Sequence, residues 1–181
     1  MLILFGAVLL LLPLSVRGDA EVHFIDALFT STSAVCVTGL IAIDVADHFT
    51  TFGQAVVAVL IQVGGLGVTS IGVGLILAAR KNVGLKGRIL LKEALNIEGI
   101  KGMIRLVKSI LLMTLCFELM GIVLSFLVFV QDYPVLKALW ISIFHSIAAF
   151  NNSGFDILGG LRNLIPSVSY THLTLPTILR V

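Results

Sequence analysis

Charge is what this sequence has least of. Asp, Glu, Lys and Arg make up 12% of its 181 residues, hydrophobic residues make up 58%, and the mean hydropathy is +1.11. A soluble domain carries about a quarter charged residues, so the composition excludes an ordinary soluble globular protein and predicts an integral membrane protein. Cysteine is nearly absent as well. Cys36 and Cys116 are the only two, both in apolar segments, which offers neither a disulfide framework nor metal-ligand spacing. They read as small buried hydrophobes. The net charge of +2 is too small to point to nucleic acid. Outside the apolar segments no residues are spaced for acid–base or nucleophilic work, so no enzyme is expected.

What is present is a series of apolar segments of unequal length, organised around Phe24–Leu40 (FIDALFTSTSAVCVTGL). Its first part, Phe24 to Val35, is apolar, rich in hydroxyls and too short to cross a bilayer. Spanning takes about 20 apolar residues, whereas runs of about 10–14 re-enter or pack inside protein. It ends in Val37-Thr38-Gly39-Leu40, where glycine can take backbone angles closed to other residues. The pattern predicts a pore helix and a filter loop, dipped into the membrane between two spanning helices.

The flanking segments fit that plan. Met1–Val16 is an apolar run of 16, short for a span. It lacks the basic start of a signal peptide, and Ser15–Asp19 is a poor cleavage site, which favours the end of a spanning helix whose start is missing. Asp19, Glu21 and Asp26 precede or begin the short helix, and Asp44 and Asp47 follow the loop. Carboxylates suit a helix N-terminus and would concentrate cations at a pore mouth; an ordinary solvated loop explains any one of them equally well. Thr51–Ala79 is 29 residues without a formal charge and predicts a full span. Its Gln62–Gly67 stretch (QVGGLG) lacks the Gly-Lys-Ser/Thr ending of a phosphate loop, and glycines there suit close helix packing or a bend.

Arg80, Lys81, Lys86, Arg88, Lys92, Lys101, Arg105 and Lys108 are eight of the twelve basic residues. Loops rich in Lys and Arg stay in the cytoplasm, which makes 81–105 a cytoplasmic connector and puts 17–50 and 131–166 outside. Gly99 and Gly102 interrupt the helical pattern, and Lys101, Arg105 and Lys108 share one face that can snorkel to headgroups. Leu106–Val130 predicts the next span. Glu118 lies near its middle, where a carboxyl is costly and implies a buried partner or a function; structural pairing and a direct place in an ion path both stand.

The opening pattern then returns. Lys137–Phe150 (KALWISIFHSIAAF) is another short apolar run, closed by Asn151-Asn152-Ser153-Gly154-Phe155. Aligning Gly39 with Gly154 gives an offset of 115 residues (154 − 39), which pairs Phe29 with Phe144, Ser31 with Ser146 and Ala34 with Ala149. The repeated order of span, short dip, glycine, polar exit and span predicts a repeated helix–pore loop–helix unit. His145 reads as a packed histidine rather than a metal ligand.

At Ala27–Leu40 (ALFTSTSAVCVTGL), Ile61–Gly67 (IQVGGLG) and Phe144–Phe155 (FHSIAAFNNSGF) the chain resembles the Trk/Ktr/HKT potassium transporter superfamily, nearest to its TrkH/KtrB membrane subunits, over about Met1 to Pro166. The resemblance implies an all-α integral membrane protein with a potassium-channel-like plan, in which repeated helix–pore loop–helix units surround one pore. Val37, Thr38, Gly39 and Leu40 would line one quarter of its filter, and Asn152, Ser153, Gly154 and Phe155 a second. It further implies uptake of K+, or of K+ mixed with Na+, with no organic cofactor, through a homodimer in a cell inner (plasma) membrane. The cytosolic partner would be a nucleotide-binding regulatory subunit of the TrkA/KtrA type. On this reading 1–80 is a first repeat truncated at its start, and 106–166 is the outer helix and pore loop of a second. Ser167–Val181 matches no expected helix and reads as a non-native tail, so the whole is expected to be a fragment.

Physically, an ion leaving water needs replacement oxygens, which backbone carbonyls supply when the loop is held extended. Irregular backbone at membrane depth is tolerated only inside protein or along a watery cavity. Two other readings compete. One is a proton- or sodium-coupled secondary transporter with a midplane site from broken helices, built on Glu118 and the glycine-rich 64–74 segment. The other is an inactive membrane fragment.

Overall fold

The computed structural model describes residues 1–18, 20–67 and 100–159, the last stretch with side chains from Lys108 onward. The basic connector up to residue 99, the second half of the expected 51–79 span and the 167–181 tail lie outside the described residues. Helices α1 (Leu2–Leu10), α2 (Phe24–Cys36), α3 (Val45–His48), α4 (Thr51–Leu66), α5 (Ile100–Phe129) and α6 (Val135–Phe150) make up the described regular structure.

Local chemistry sets most of the helix ends. The His23 N–H donates to the Asp26 carboxylate at 3.2 Å and opens α2. Asp44 accepts from the Ala46 N–H at 2.7 Å and opens α3, and Thr50 Oγ1 accepts from the Gly53 N–H at 3.3 Å and opens α4. Pro134 precedes α6, so that helix begins two residues before Lys137. Helix α5 runs through Gly102 without a break, against the expected interruption. One interior glycine costs about 1 kcal/mol, which a 30-residue helix absorbs.

Helix α1 packs on α2 and α4, α2 packs on α4, α5 packs on α6, and α4 joins the two groups through α6. Small residues bring these backbones together, as they do where lipid supplies no hydrophobic drive between helices. A side chain at Gly6 would run into Ser31 Oγ and Leu60, and one at Gly121 would run into Ser146 Oγ. Lys108–Phe129 of α5 is, among the described residues, the one helical stretch long and apolar enough to cross a bilayer. Ten of its apolar side chains between Leu112 and Val128 expose more than half their surface, Val123 reaching 61%. That is a band for lipid to cover. Cys36 and Cys116 are free and exposed, which corrects their expected burial. Both sit on helix faces that no other described element covers.

Side chains also tie α4 to α6. Trp140 Nε1 donates to Gln54 Oε1 at 2.8 Å, and Gln54 Nε2 donates to the Phe49 carbonyl at 3.3 Å. Gln54→Leu is expected to cost about 1–3 kcal/mol by stranding the indole N–H. Adding Trp140→Phe should recover much of that loss, since removing both partners of a buried pair is nearly neutral. Unfolding of the reconstituted single and double variants measures it.

Candidate functional site

The expected filter residues follow the C-termini of α2 and α6, and both helices end in the same way. Val37 N–H donates to the Ala34 carbonyl at 3.3 Å and Thr38 N–H to the Ser33 carbonyl at 3.0 Å. Exactly 115 positions on, Asn152 N–H donates to Ala149 at 3.0 Å and Ser153 N–H to Ala148 at 2.9 Å. This is the Schellman pattern, in which one left-handed residue lets the chain turn back on the last helical carbonyls. That residue is Val37 in the first loop and Asn152 in the second, each at φ 54°, followed by Gly39 and Gly154, each at φ 72°. For a β-branched valine the left-handed region is a true outlier. Such strain persists only where the surroundings impose it, and it concentrates at functional sites.

The two loops meet glycine to glycine. A Cβ placed on Gly39 would lie 2.6 Å from the Ser153 carbonyl oxygen and 3.2 Å from the Gly154 Cα. Thr38, Leu40, Asn152 and Gly154 are exposed, Val37 and Gly39 half-buried, and Ser153 and Phe155 buried. Ser33 Oγ donates to the Leu40 carbonyl at 2.8 Å, and Thr38 Oγ1 donates to Ser33 Oγ at 3.0 Å, which ties the first loop to its own helix. Among the described residues the main-chain carbonyls of Val37, Thr38, Gly39, Asn152, Ser153 and Gly154 accept no hydrogen bond. None of the eight loop residues carries an ionisable side chain, so the chemistry the loops offer is that of peptide groups, hydroxyls and one carboxamide.

Helix α4 braces both loops from behind. A side chain at Gly64 would strike the Val35 carbonyl near the end of α2, and one at Gly65 would strike the Asn151 carboxamide at the end of α6. The Gly-Gly step in the Gln62–Gly67 stretch is therefore a packing device. Glu118, 9% exposed, has found its partner: Gln62 Nε2 donates to its Oε1 at 2.6 Å, and Asn151 Nδ2 donates to Gln62 Oε1 at 2.8 Å. His145 packs edge-on to Phe129, with ring centres 5.7 Å apart. Past the second loop, burial pushes the Asp156 carboxyl above the usual carboxylate range, and the nearby Asp44 adds to the effect. No group of three or more His, Cys, Asp or Glu suited to hold a metal occurs among the described residues.

The 115-residue repeat reaches further than the loops. Ser31 Oγ donates to the Ile3 carbonyl at 2.8 Å, and Ser146 Oγ donates to the Glu118 carbonyl at 2.7 Å, with Gly6 and Gly121 beneath the two hydroxyls. Ile3 and Glu118, and Gly6 and Gly121, stand at the same offset. Sequence reasoning missed the Gly6–Gly121 pair because alignment began at the short helices; extending it backward finds the glycines.

A family model described as TrkH, cation transport protein, matches residues 7–161. The chain is 45% identical over 158 residues to the potassium/sodium uptake protein NtpJ of Enterococcus hirae, covering 87% of this chain and 35% of that protein. It is 44% identical over 155 residues to the Ktr system potassium uptake protein B of Bacillus subtilis, covering 86% and 34%. To the Vibrio alginolyticus protein of the same name it is 38% identical over 170 residues, covering 92% and 37%. The chain thus spans about a third of the length of the curated relatives it matches.

Proposed function

Since the chain belongs to the TrkH family of cation transport proteins, we propose that it forms part of a membrane path for uptake of potassium, or of potassium with sodium. Val37–Leu40 and Asn152–Phe155 each line one part of a filter built from peptide oxygens. The observation that carries this reading is the pair of loops with equal left-handed geometry at Val37/Asn152 and Gly39/Gly154, in contact at their glycines. Helix–pore loop–helix units repeat along the chain, and they work within a longer polypeptide of the relatives' length. Two copies assemble, with a cytosolic nucleotide-binding regulatory subunit as partner. The names of the Ktr system relatives support such a multi-component assembly.

The chemistry is substitution of hydration. A potassium ion entering between the loops exchanges water for carbonyl oxygens of fixed position. The C-termini of α2 and α6, which point at the loops, add the negative ends of their helix dipoles. Purified full-length polypeptide in potassium-loaded vesicles is expected to take up rubidium by exchange, with sodium competing weakly or appreciably according to selectivity. Vesicles that remain as tight as protein-free ones would end this reading.

Sidedness follows from the basic connector. Single cysteines at 19–23 and 44–50 should react with an impermeant thiol reagent added outside, and those at 82–102 only after the membrane is opened. The reverse pattern would overturn the orientation.

A further inference from the structure

We infer that Glu118 is a positioning residue for the second loop, acting through Gln62 and Asn151; the inference rests on the reading of Asn152–Phe155 as filter. A carboxamide has a donor end and an acceptor end, and Gln62 uses both: its Nε2 donates to Glu118 Oε1 at 2.6 Å and its Oε1 accepts from Asn151 Nδ2 at 2.8 Å. With the amide turned over, its N–H groups would face those of Asn151. The acceptor oxygen of Glu118 therefore selects the sense in which Gln62 receives Asn151. Asn151 Nδ2 also donates to the Ile147 carbonyl at 2.9 Å, and its Oδ1 lies against Gly65, where no Cβ would fit. So held, Asn151 ends α6 and delivers the chain into the left-handed Asn152.

The repeat shows that the two loops are tied to their helices differently. In the first, Ser33 Oγ reaches across to the Leu40 carbonyl at 2.8 Å and ties the loop directly to its helix. The position equivalent to Ser33 in the second repeat is Ala148, which has no hydroxyl to reach the far side of the loop; the second loop keeps only the Ser153 Oγ, which donates to the Ala148 carbonyl at 3.3 Å within the turn itself. Conversely, Glu118 and Asn151 stand where the first repeat has Ile3 and Cys36. The serine-to-carbonyl stitch between outer helix and pore helix is common to both repeats, whereas the carboxyl is an addition to the second. An acceptor oxygen is what the relay requires, and a glutamine at 118 supplies one; a role in carrying the ion's charge would require the acid.

Amide hydrogen exchange on the full chain in lipid nanodiscs tests this directly. Glu118→Leu is expected to speed exchange at Asn152 and Ser153 about tenfold, the worth of one buried hydrogen bond, and to leave Val37 and Thr38 within about twofold. Glu118→Gln should stay within about twofold of the parent at all four amides. Equal exchange in Glu118→Leu and the parent overturns the inference. So does Glu118→Gln behaving like Glu118→Leu, which assigns the effect to charge. If Glu118→Leu does not insert, Gln62→Met carries the same expectation and the same overturning result. Flux separates this from the broader reading: the rubidium-to-sodium ratio should fall in Glu118→Leu and hold in Glu118→Gln. A parent without alkali cation flux removes the filter assignment, while the exchange result still decides the relay.

Discussion

Replacing Gly39 with alanine is expected to cut potassium flux, or its preference over sodium, by well over tenfold while leaving the protein in the membrane. Two costs add at this position. A residue with a Cβ pays about 1–2 kcal/mol to sit in the left-handed region, and Gly39 is at φ 72°. The new methyl would also lie 2.6 Å from the Ser153 carbonyl oxygen. That atom is main chain of the facing loop and cannot swing aside, and each 1.4 kcal/mol is about a factor of ten. Gly154 shares the backbone angle, but its nearest obstacle is the Gly39 Cα at 3.2 Å. Gly154→Ala should therefore be the milder of the two. Rubidium uptake with sodium competition measures both, and equal effects would show that the facing carbonyl is not what makes Gly39 special.

Gly64→Ala is expected to destabilise the protein by about 3 kcal/mol or more, because its methyl group would occupy the space of the Val35 carbonyl. Overpacking costs about 1–3 kcal/mol where side chains can yield, and here the obstacle is backbone at the end of α2. Two other glycines serve as controls. Gly67 is at φ 78° and ψ 134° with nothing among the described residues within 4 Å of an added Cβ, so Gly67→Ala pays for its angle alone, about 1–3 kcal/mol. Gly18 also has nothing among the described residues within 4 Å, and Gly18→Ala should be neutral. Unfolding of the four proteins in bicelles gives the order. A Gly64→Ala variant as stable as Gly18→Ala would mean that α4 does not press on the base of the first loop.

Some of this architecture is local and could be read in advance. The short helices were expected over Phe24–Val35 and Lys137–Phe150, and they run over Phe24–Cys36 and Val135–Phe150. Their extent follows from apolar runs bounded by a capping residue or proline and by a glycine-bearing turn. The conformation of Val37 was not legible, because valine by itself avoids positive φ; the Schellman turn and the packing behind it impose that angle. Glu118 could be marked as costly, but its partners lie on two other helices. The hydrogen bonds that make the relay join residues 56 and 89 positions apart, beyond any helical or turn periodicity.

By itself the sequence determined that this is a helical membrane protein of a cation transport family, with short apolar helices ended by glycine loops. Scarcity of charge, run length and glycine placement act through solvent and local sterics, so they need no knowledge of the fold. Only the tertiary structure decided that the two loops touch at Gly39 and Gly154, that Gly64 and Gly65 are seats for the bases of both, and that Glu118 answers to Asn151 through Gln62. Those are meetings between distant segments, and their energies depend on ångström-scale approach that exists only once the helices have packed.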